Sequence, residues 1–343
     1  MIRIRIAALP ASLLAITSLV ACGDDSGPLA PEAPITAEPL DLAVLSGVSD
    51  SWAASVPMPT KRRALVAATV NGTIYAIGGQ KFLVAGDPDD ATEVNLTKVE
   101  AFNTSSSTWA TKASLPSARA WPSGAAVISG KIYVTGGVNA SGIPTKTLYV
   151  YNPTTNTWST KAPLPVASAR GAAVALSGKL WVVTPAAGST RLHRYDPSTN
   201  TWTARASGPA GHYYPVAGVI DGKIYVAGTM NSNESPSFVT SVYDPATNTW
   251  ASRDGMPSEQ IGGAGQVIGN KLYVVGGSFV LNNIEHDGVR VYDPAIDYWT
   301  YPYAASMLVQ RTFLAVAVAN GKLYALGGSK YPDVLATNQV YTP

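Results

Sequence analysis

The apolar positions of this chain gather into brief β-branched and aromatic runs, broken at short intervals by Gly, Asn and Pro, and one run recurs six times. It reads Gly72-Thr-Ile-Tyr-Ala-Ile-Gly-Gly79, Gly130-Lys-Ile-Tyr-Val-Thr-Gly-Gly137, Gly178-Lys-Leu-Trp-Val-Val-Thr-Pro185, Gly222-Lys-Ile-Tyr-Val-Ala-Gly-Thr229, Asn270-Lys-Leu-Tyr-Val-Val-Gly-Gly277 and Gly321-Lys-Leu-Tyr-Ala-Leu-Gly-Gly328. Runs of this composition favour strands. Self-similarity at roughly 40 to 50 residues is the mark of a propeller or solenoid. Before each phrase stands a small, continuously apolar stretch, such as Arg170-Gly-Ala-Ala-Val-Ala-Leu-Ser177 or Leu314-Ala-Val-Ala-Val-Ala319, suited to the crowded inner edge of a blade.

The second half of each unit is equally regular. An aromatic residue is followed seven positions later by Trp: Phe102 and Trp109, Tyr151 and Trp158, Tyr195 and Trp202, Tyr243 and Trp250, Tyr292 and Trp299. Between them lies Asn152-Pro-Thr-Thr-Asn156 or a variant such as Asp244-Pro-Ala-Thr-Asn248. Asp or Asn opens a type I turn, Pro presets φ, and the later Asn tolerates the left-handed residue that closes a hairpin. Each unit therefore predicts four strands: small inner strand, Tyr-bearing strand, hairpin strand and outer Trp strand, with the Trp and Tyr packing the blade.

Six Gly phrases but only five aromatic-turn-Trp pairs leave the last unit, ending at Val340-Tyr341-Thr342-Pro343, without its Trp strand. The missing piece stands near the other end, in Ser49-Asp-Ser-Trp52 followed by Val56-Pro-Met-Pro59. The expected fold is all-β: a six-bladed β-propeller of four-stranded antiparallel blades, the last closed by the N-terminal strand. Such closure removes free sheet edges.

These residues resemble kelch repeats, whose hallmark is a Gly-Gly doublet followed by spaced Tyr and Trp. The resemblance covers about residues 49–343. Units three and four depart from it, with Thr184-Pro185 and Gly228-Thr229 in place of the doublet, so those two corners are expected to be reshaped.

Upstream of the repeats, Arg3 and Arg5 precede about 15 apolar residues that end in Leu19-Val20-Ala21-Cys22. Residues 1–22 resemble a bacterial lipoprotein signal, which implies lipidation of Cys22. That run is short for a membrane span. Cys22 is the only cysteine, so no internal disulfide competes for it. Residues 23–48, rich in Pro, Ala and acidic residues, read as an extended tether, leaving 49–343 as the propeller. An exported, lipid-anchored protein of the cell envelope is the expectation, with the membrane as one partner. The formal net charge of +2 includes Arg3 and Arg5, so the remainder is near neutral and nucleic acid is an improbable partner.

Catalytic signatures are sparse. His193, His212 and His286 fall in different units without metal-ligand spacing, so no metal site is expected. Galactose oxidase carries a similar propeller, but its Cys-Tyr cross-link cannot form in a chain without a cysteine after Cys22. No Gly-x-Ser-x-Gly elbow occurs, and Gly262-Gly-Ala-Gly265 precedes a strand instead of a helix, so no cofactor is expected. The longest insertion, 80–97, carries Asp87-Pro-Asp89-Asp90, an acidic loop without EF-hand spacing.

Candidate functional residues stand where each unit enters its inner strand, because these positions recur around one axis and converge on a channel mouth. They are Arg63, Arg119, Trp121, Arg170, His212, Tyr214, Glu259 and Arg311. Guanidinium groups and aromatic rings suit an anionic or sugar-like ligand. In kelch domains that bind acidic peptides, Arg at this entry does the binding, and Arg170, eight residues before Gly178, matches that placement. The structural alternative is that these arginines bond carbonyls of the blades. The function expected is a binding module for a protein, glycan or anionic ligand. The alternative is a sugar-modifying enzyme resembling the sialic acid mutarotases, with Arg170 or Arg311 holding a carboxylate and Glu259 as base.

Overall fold

The computed structural model of the chain describes residues 50–82, 93–231, 235–279, 284–300 and 304–343. Cys22, the tether and Asp87, Asp89 and Asp90 lie outside the described residues. Six four-stranded antiparallel sheets form the blades. In blade 1 the strands run Val66–Val70, Thr73–Ile77, Val99–Asn103 and Thr108–Thr111 from inside to outside. Blades 2 to 5 repeat this order, with inner strands at Ala125–Ile128, Ala172–Leu176, Val216–Ile220 and Ala264–Ile268. Blade 6 takes Ala315–Ala319, Lys322–Leu326 and Asn338–Thr342 from the C-terminal end and Ser51–Ser55 from the N-terminal side, closing the ring as the sequence predicts.

Two kinds of turn build each blade. The inner hairpins turn on two left-handed residues, as at Asn71-Gly72 (φ 47° and 71°) and Asn320-Gly321 (φ 51° and 71°). This geometry matches the twist of the strands, which is why the recurring phrase opens with Gly. The outer hairpins turn through the Asn/Asp-Pro segments and close on a left-handed residue, Asn156, Asn200 or Asn248 among them. Here the closing residue does more than the sequence suggested. Asn156 Oδ1 accepts a hydrogen bond from Tyr151 Oη (2.6 Å) in its own blade and from the Ala113 backbone N–H (2.9 Å) at the preceding one. Asn200, Asn248, Asp297 and Asp50 make the same double bond at four other junctions.

Each aromatic and its Trp are direct cross-strand partners, from Phe102 with Trp109 to Tyr341 with Trp52. Their ring centroids lie 4.9–5.3 Å apart. The Tyr rings are core, as expected, but four of the six indoles are only half-buried. Every indole donates Nε1–H to a carbonyl of the preceding blade segment, for example Trp158 to Ala113 (2.8 Å) and Trp52 to Ala305 (2.8 Å). Trp is thus fastened across the seam between blades as well as packed within one.

The Gly-Gly doublet also earns its place at a seam. Gly79 N–H donates to the Arg119 carbonyl of the next blade (2.8 Å), and a Cβ on Gly78 would sit 2.5 Å from that oxygen. The Ser168, Arg311 and Arg62 carbonyls take the corresponding bond from Gly137, Gly277 and Gly328. The two deviant corners are reshaped, each differently. In blade 3 the strands Lys179–Ala186 and Ser189–Asp196 run on as one long hairpin. In blade 4 the buried Thr229 hydroxyl donates to the Tyr213 and Tyr214 carbonyls (3.2 and 3.0 Å) at the entry of its own blade, a side-chain bond that the doublet glycines do not make.

Candidate functional site at the channel mouth

Where the chain enters each inner strand, one residue per blade adopts left-handed backbone geometry: Ala64, Trp121, Arg170, Tyr214, Gly262 and Phe313, with φ between 49° and 67°. These residues bond to one another around the axis. Ala64 N–H donates to the Phe313 carbonyl (2.8 Å), Trp121 to Ala64 (2.9 Å), Arg170 to Trp121 (3.0 Å) and Phe313 to Gly262 (2.7 Å). These bonds link Gly262, Phe313, Ala64, Trp121 and Arg170 in one run of backbone that is held whatever the side chain, and all six entry residues, Tyr214 included, line the channel mouth. Left-handed geometry costs a non-glycine residue roughly 1–2 kcal/mol. Only one of the six is glycine, and Gly262 is required for a different reason: a Cβ there would lie 2.3 Å from the Phe313 ring.

Three rings from alternate blades meet over the mouth. Trp121 stands edge-on to Phe313 (centroids 4.6 Å apart) and to Tyr214 (5.6 Å), and Tyr214 lies 5.8 Å from Phe313. Trp121 is held by its Nε1–H, which donates to Gln80 Oε1 (2.9 Å). The Arg170 guanidinium carbon lies 5.3 Å from both the Trp121 and the Tyr214 ring centroids. Through its side chain Arg170 forms no hydrogen bond or ion pair with any described residue, and its Nε is buried without a partner. Ring residues and the first residues of the inner strands line a cavity of about 160 Å³. Farther down, small residues line a channel segment of about 310 Å³, where Gln266 and Thr69 are the polar side chains. Among the described residues, no Asp, Glu or His lines either space.

Of the eight residues singled out in the sequence, the structure brings Trp121, Arg170 and Tyr214 together at this mouth. Three others stand two residues before the ring, a position turned into the blade and buried in every unit: Arg62, Arg119, Ser168, His212, Gln260 and Arg311. Arg119 donates to the Ala118 carbonyl, Ser117, Thr147 and Tyr149. Arg311 donates to Gly327, Thr337 and Gln339, and burial pulls its pKa down to about 10. His212 packs at Thr190 and Pro209. Arg62, at the same position in blade 1, pairs with buried Glu100 at 2.5 Å. These side chains follow the structural alternative raised by the sequence.

Arg63 stands one residue before the ring, paired with Glu93 and stacked over Phe82 (4.8 Å) and Phe313 (5.7 Å), so its charge is already partnered at the rim. Glu259 lies outside the cavity lining, and its backbone carbonyl meets His286 Nε2 at 3.0 Å. Phe313, Ala64 and Gly262 complete the ring but escaped the sequence reading. One signal would have found them. Ala64, Arg170, Tyr214, Gly262 and Phe313 all stand eight residues before the recurring phrase, and Trp121 nine.

The ring, the paired Tyr and Trp and the seam-filling doublets define a kelch-type six-bladed propeller whose channel mouth carries a guanidinium, that of Arg170, without a hydrogen-bond or ionic partner among the described residues, set among aromatic rings. Residues 74–334 match the family model of the Attractin/LZTR1 beta-propeller, and the chain belongs to that family. The solved structure of YjhT superposes with a TM-score of 0.66 at 16% identity, over 84% of this chain and 97% of that one. Solved structures of 768 chains match the fold, so this likeness speaks for architecture and not for chemistry. No curated protein matches the sequence.

Proposed function

We propose that this protein is a binding module of the cell envelope, anchored through Cys22, whose channel mouth receives an anionic group of a protein or glycan partner. One observation carries the reading. Arg170 is fixed by its backbone in the peptide ring, flanked by Trp121 and Tyr214, and left without an acidic partner among the described residues. An arginine so placed presents planar donors suited to a carboxylate, while the neighbouring rings offer faces for an apolar or sugar surface. Its Nε, buried without a partner, is a cost to the folded protein that a ligand oxygen can relieve.

The enzymatic alternative, anomer exchange on an anionic sugar, needs a proton acceptor within reach of the substrate. The described lining residues include no carboxylate or imidazole, and Glu259 is not among them, so binding is the better-supported reading.

Thermal unfolding scanned against sialic acid, other acidic sugars, muropeptides and acidic peptides tests it. A ligand at about 100 times its dissociation constant stabilises by about 2.7 kcal/mol. The expected result is a raised midpoint with an acidic ligand that vanishes in Arg170→Ala. Absence of any shift, or a shift that survives Arg170→Ala, overturns the proposal. NMR exchange spectroscopy on any acidic sugar that binds detects accelerated anomer exchange and would restore the enzyme reading.

A further inference from the structure

A second cleft stands on the flank of the propeller, between blades 3 and 4. In five blades the residue directly across from the Tyr of the recurring phrase is small and aliphatic: Ala101, Val150, Val242, Val291 and Val340. In blade 3 that place, opposite Trp181, holds Arg194. Nothing in blade packing calls for the change, since valine fills the position in four neighbours. Through its side chain Arg194 forms no ion pair or hydrogen bond with any described residue, and its Nε is buried without a partner.

Arg194 is not alone on this face. Thr203 pairs with Arg194 across the sheet, and Arg205, two residues on, projects from the same side. Arg205 lies 5.8 Å from the Trp181 ring, and its Nε donates to Tyr243 Oη of blade 4 at 3.3 Å. It has no carboxylate partner among the described residues. Trp181, Arg194 and Arg205, with Asp221, Lys223 and Asp244 of blade 4, line a cleft of about 560 Å³. The charges within it are largely settled except for the two arginines: Lys223 pairs with Asp244 at 3.1 Å, and Lys179 with Asp196 at 2.7 Å. Asp221 is the remaining acid on the wall.

The equivalent cleft between blades 2 and 3 supplies an internal comparison. It is nearly the same size, about 600 Å³, but carries Tyr133, Val150 and Lys161 where this one carries Trp181, Arg194 and Arg205. The geometry points to the blade 3–4 cleft as an oxyanion-binding site, in which the Arg194 and Arg205 guanidinium groups converge on a phosphate or carboxylate group beside the Trp181 wall. Two guanidinium forks without a carboxylate partner among the described residues match the paired oxygens of such a group, and the repeat shows that blade packing does not need Arg194.

Isothermal titration of inorganic phosphate, with acetate in parallel at matched ionic strength, tests the site. One or both anions are expected to bind saturably, and the tighter of the two identifies the group. Arg194→Val installs the side chain of the other blades. It is expected to fold, to melt higher without anion because the unpartnered Nε is gone, and to weaken binding by about tenfold or more. Lys161→Ala, in the comparison cleft, is expected to leave it unchanged, and the same titrations repeated in an Arg170→Ala background separate this site from any anion held at the mouth. Arg205→Lys, which keeps the charge but loses the fork, is expected to weaken binding severalfold and serves as a second measure if Arg194→Val is poorly folded. No binding of either anion to the wild type, or unchanged binding in the arginine variants, overturns the assignment.

Discussion

Acid should weaken this propeller well above the range in which carboxylates titrate, and His212 should account for much of that sensitivity. Its ring is almost fully buried, with 2% exposure. Thr190 Oγ1 donates to the Pro209 carbonyl (2.8 Å), so at 3.0 Å it accepts from the Nδ1–H of His212. Burial drives the pKa from 6.5 down to about 4, against the opposing effect of the Pro209 and Val226 backbone. The folded state thus holds the neutral ring, while the unfolded chain takes up its proton near the ordinary value of 6.5. Between these values the unfolded state binds more protons, so stability rises with pH. The contribution is fully present above 6.5, declines as pH falls and is exhausted near 4. The gap is worth about 3 kcal/mol in all, of which about 2 kcal/mol is lost between about pH 8 and about pH 5. Burial also lowers the pKa of His193 and His286, so they add in the same direction.

The measurement is denaturant unfolding, followed by tryptophan fluorescence, for the wild type and His212→Gln at both pH values. The variant is less stable at the higher pH, since its amide replaces a fitted ring, but its loss on acidification should be smaller by about 2 kcal/mol. Equal losses in the two proteins would refute the assignment of a buried, neutral His212.

Two further predictions concern the seams. Asn156→Ala removes the acceptor shared by Tyr151 and the Ala113 N–H while keeping a Cβ at φ 54°, and should cost about 2 kcal/mol in thermal or denaturant unfolding. Asn156→Gly loses the same bonds but relaxes the backbone, so it should cost about 1 kcal/mol less. Gly78→Ala should cost about 2–4 kcal/mol, because its Cβ meets the Arg119 carbonyl at 2.5 Å. Gly130→Ala, at a similar φ with nothing within 4 Å of the new Cβ, should cost only about 1 kcal/mol by the same assays.

The fold was legible because the chain states it six times. A noisy strand signal becomes decisive when Gly-Lys-Ile-Tyr-Val and Asn-Pro-Thr-Thr-Asn-Thr-Trp recur in step, and counting Trp residues located the strand that closes blade 6. The mouth was only half legible. Arginine draws attention in sequence, yet Arg62, Arg119 and Arg311 stand at a buried position, and their acceptors lie far along the chain: Glu100 for Arg62, Tyr149 for Arg119, Gln339 for Arg311. No local pattern announces those bonds. Arg170 stands two residues farther on, at the ring. Two residues decide between a side chain satisfied inside its blade and one facing the channel, and only the count of eight from each phrase distinguishes them.

Repetition also separates what holds this protein together from what it can recognise. Positions that stay constant, such as the outer Trp, or recur in four of six units, such as the doublets, are explained by contacts at the seams. Positions that vary while their backbone stays fixed need another account. At the ring, five of six residues hold left-handed geometry with a side chain, where glycine would be less strained at each. The peptide ring offsets that strain equally for any occupant, so it does not explain why the six positions carry methyl, indole, guanidinium, phenol, hydrogen and phenyl groups. Arg194 poses the same question on a wall where four blades show that valine suffices. In both places the buried Nε lacks a partner and is a cost to the folded chain, removable without loss of a described hydrogen bond. Costs of that kind are where binding is to be sought, because a ligand that supplies the missing oxygens turns the unfavourable desolvation into affinity.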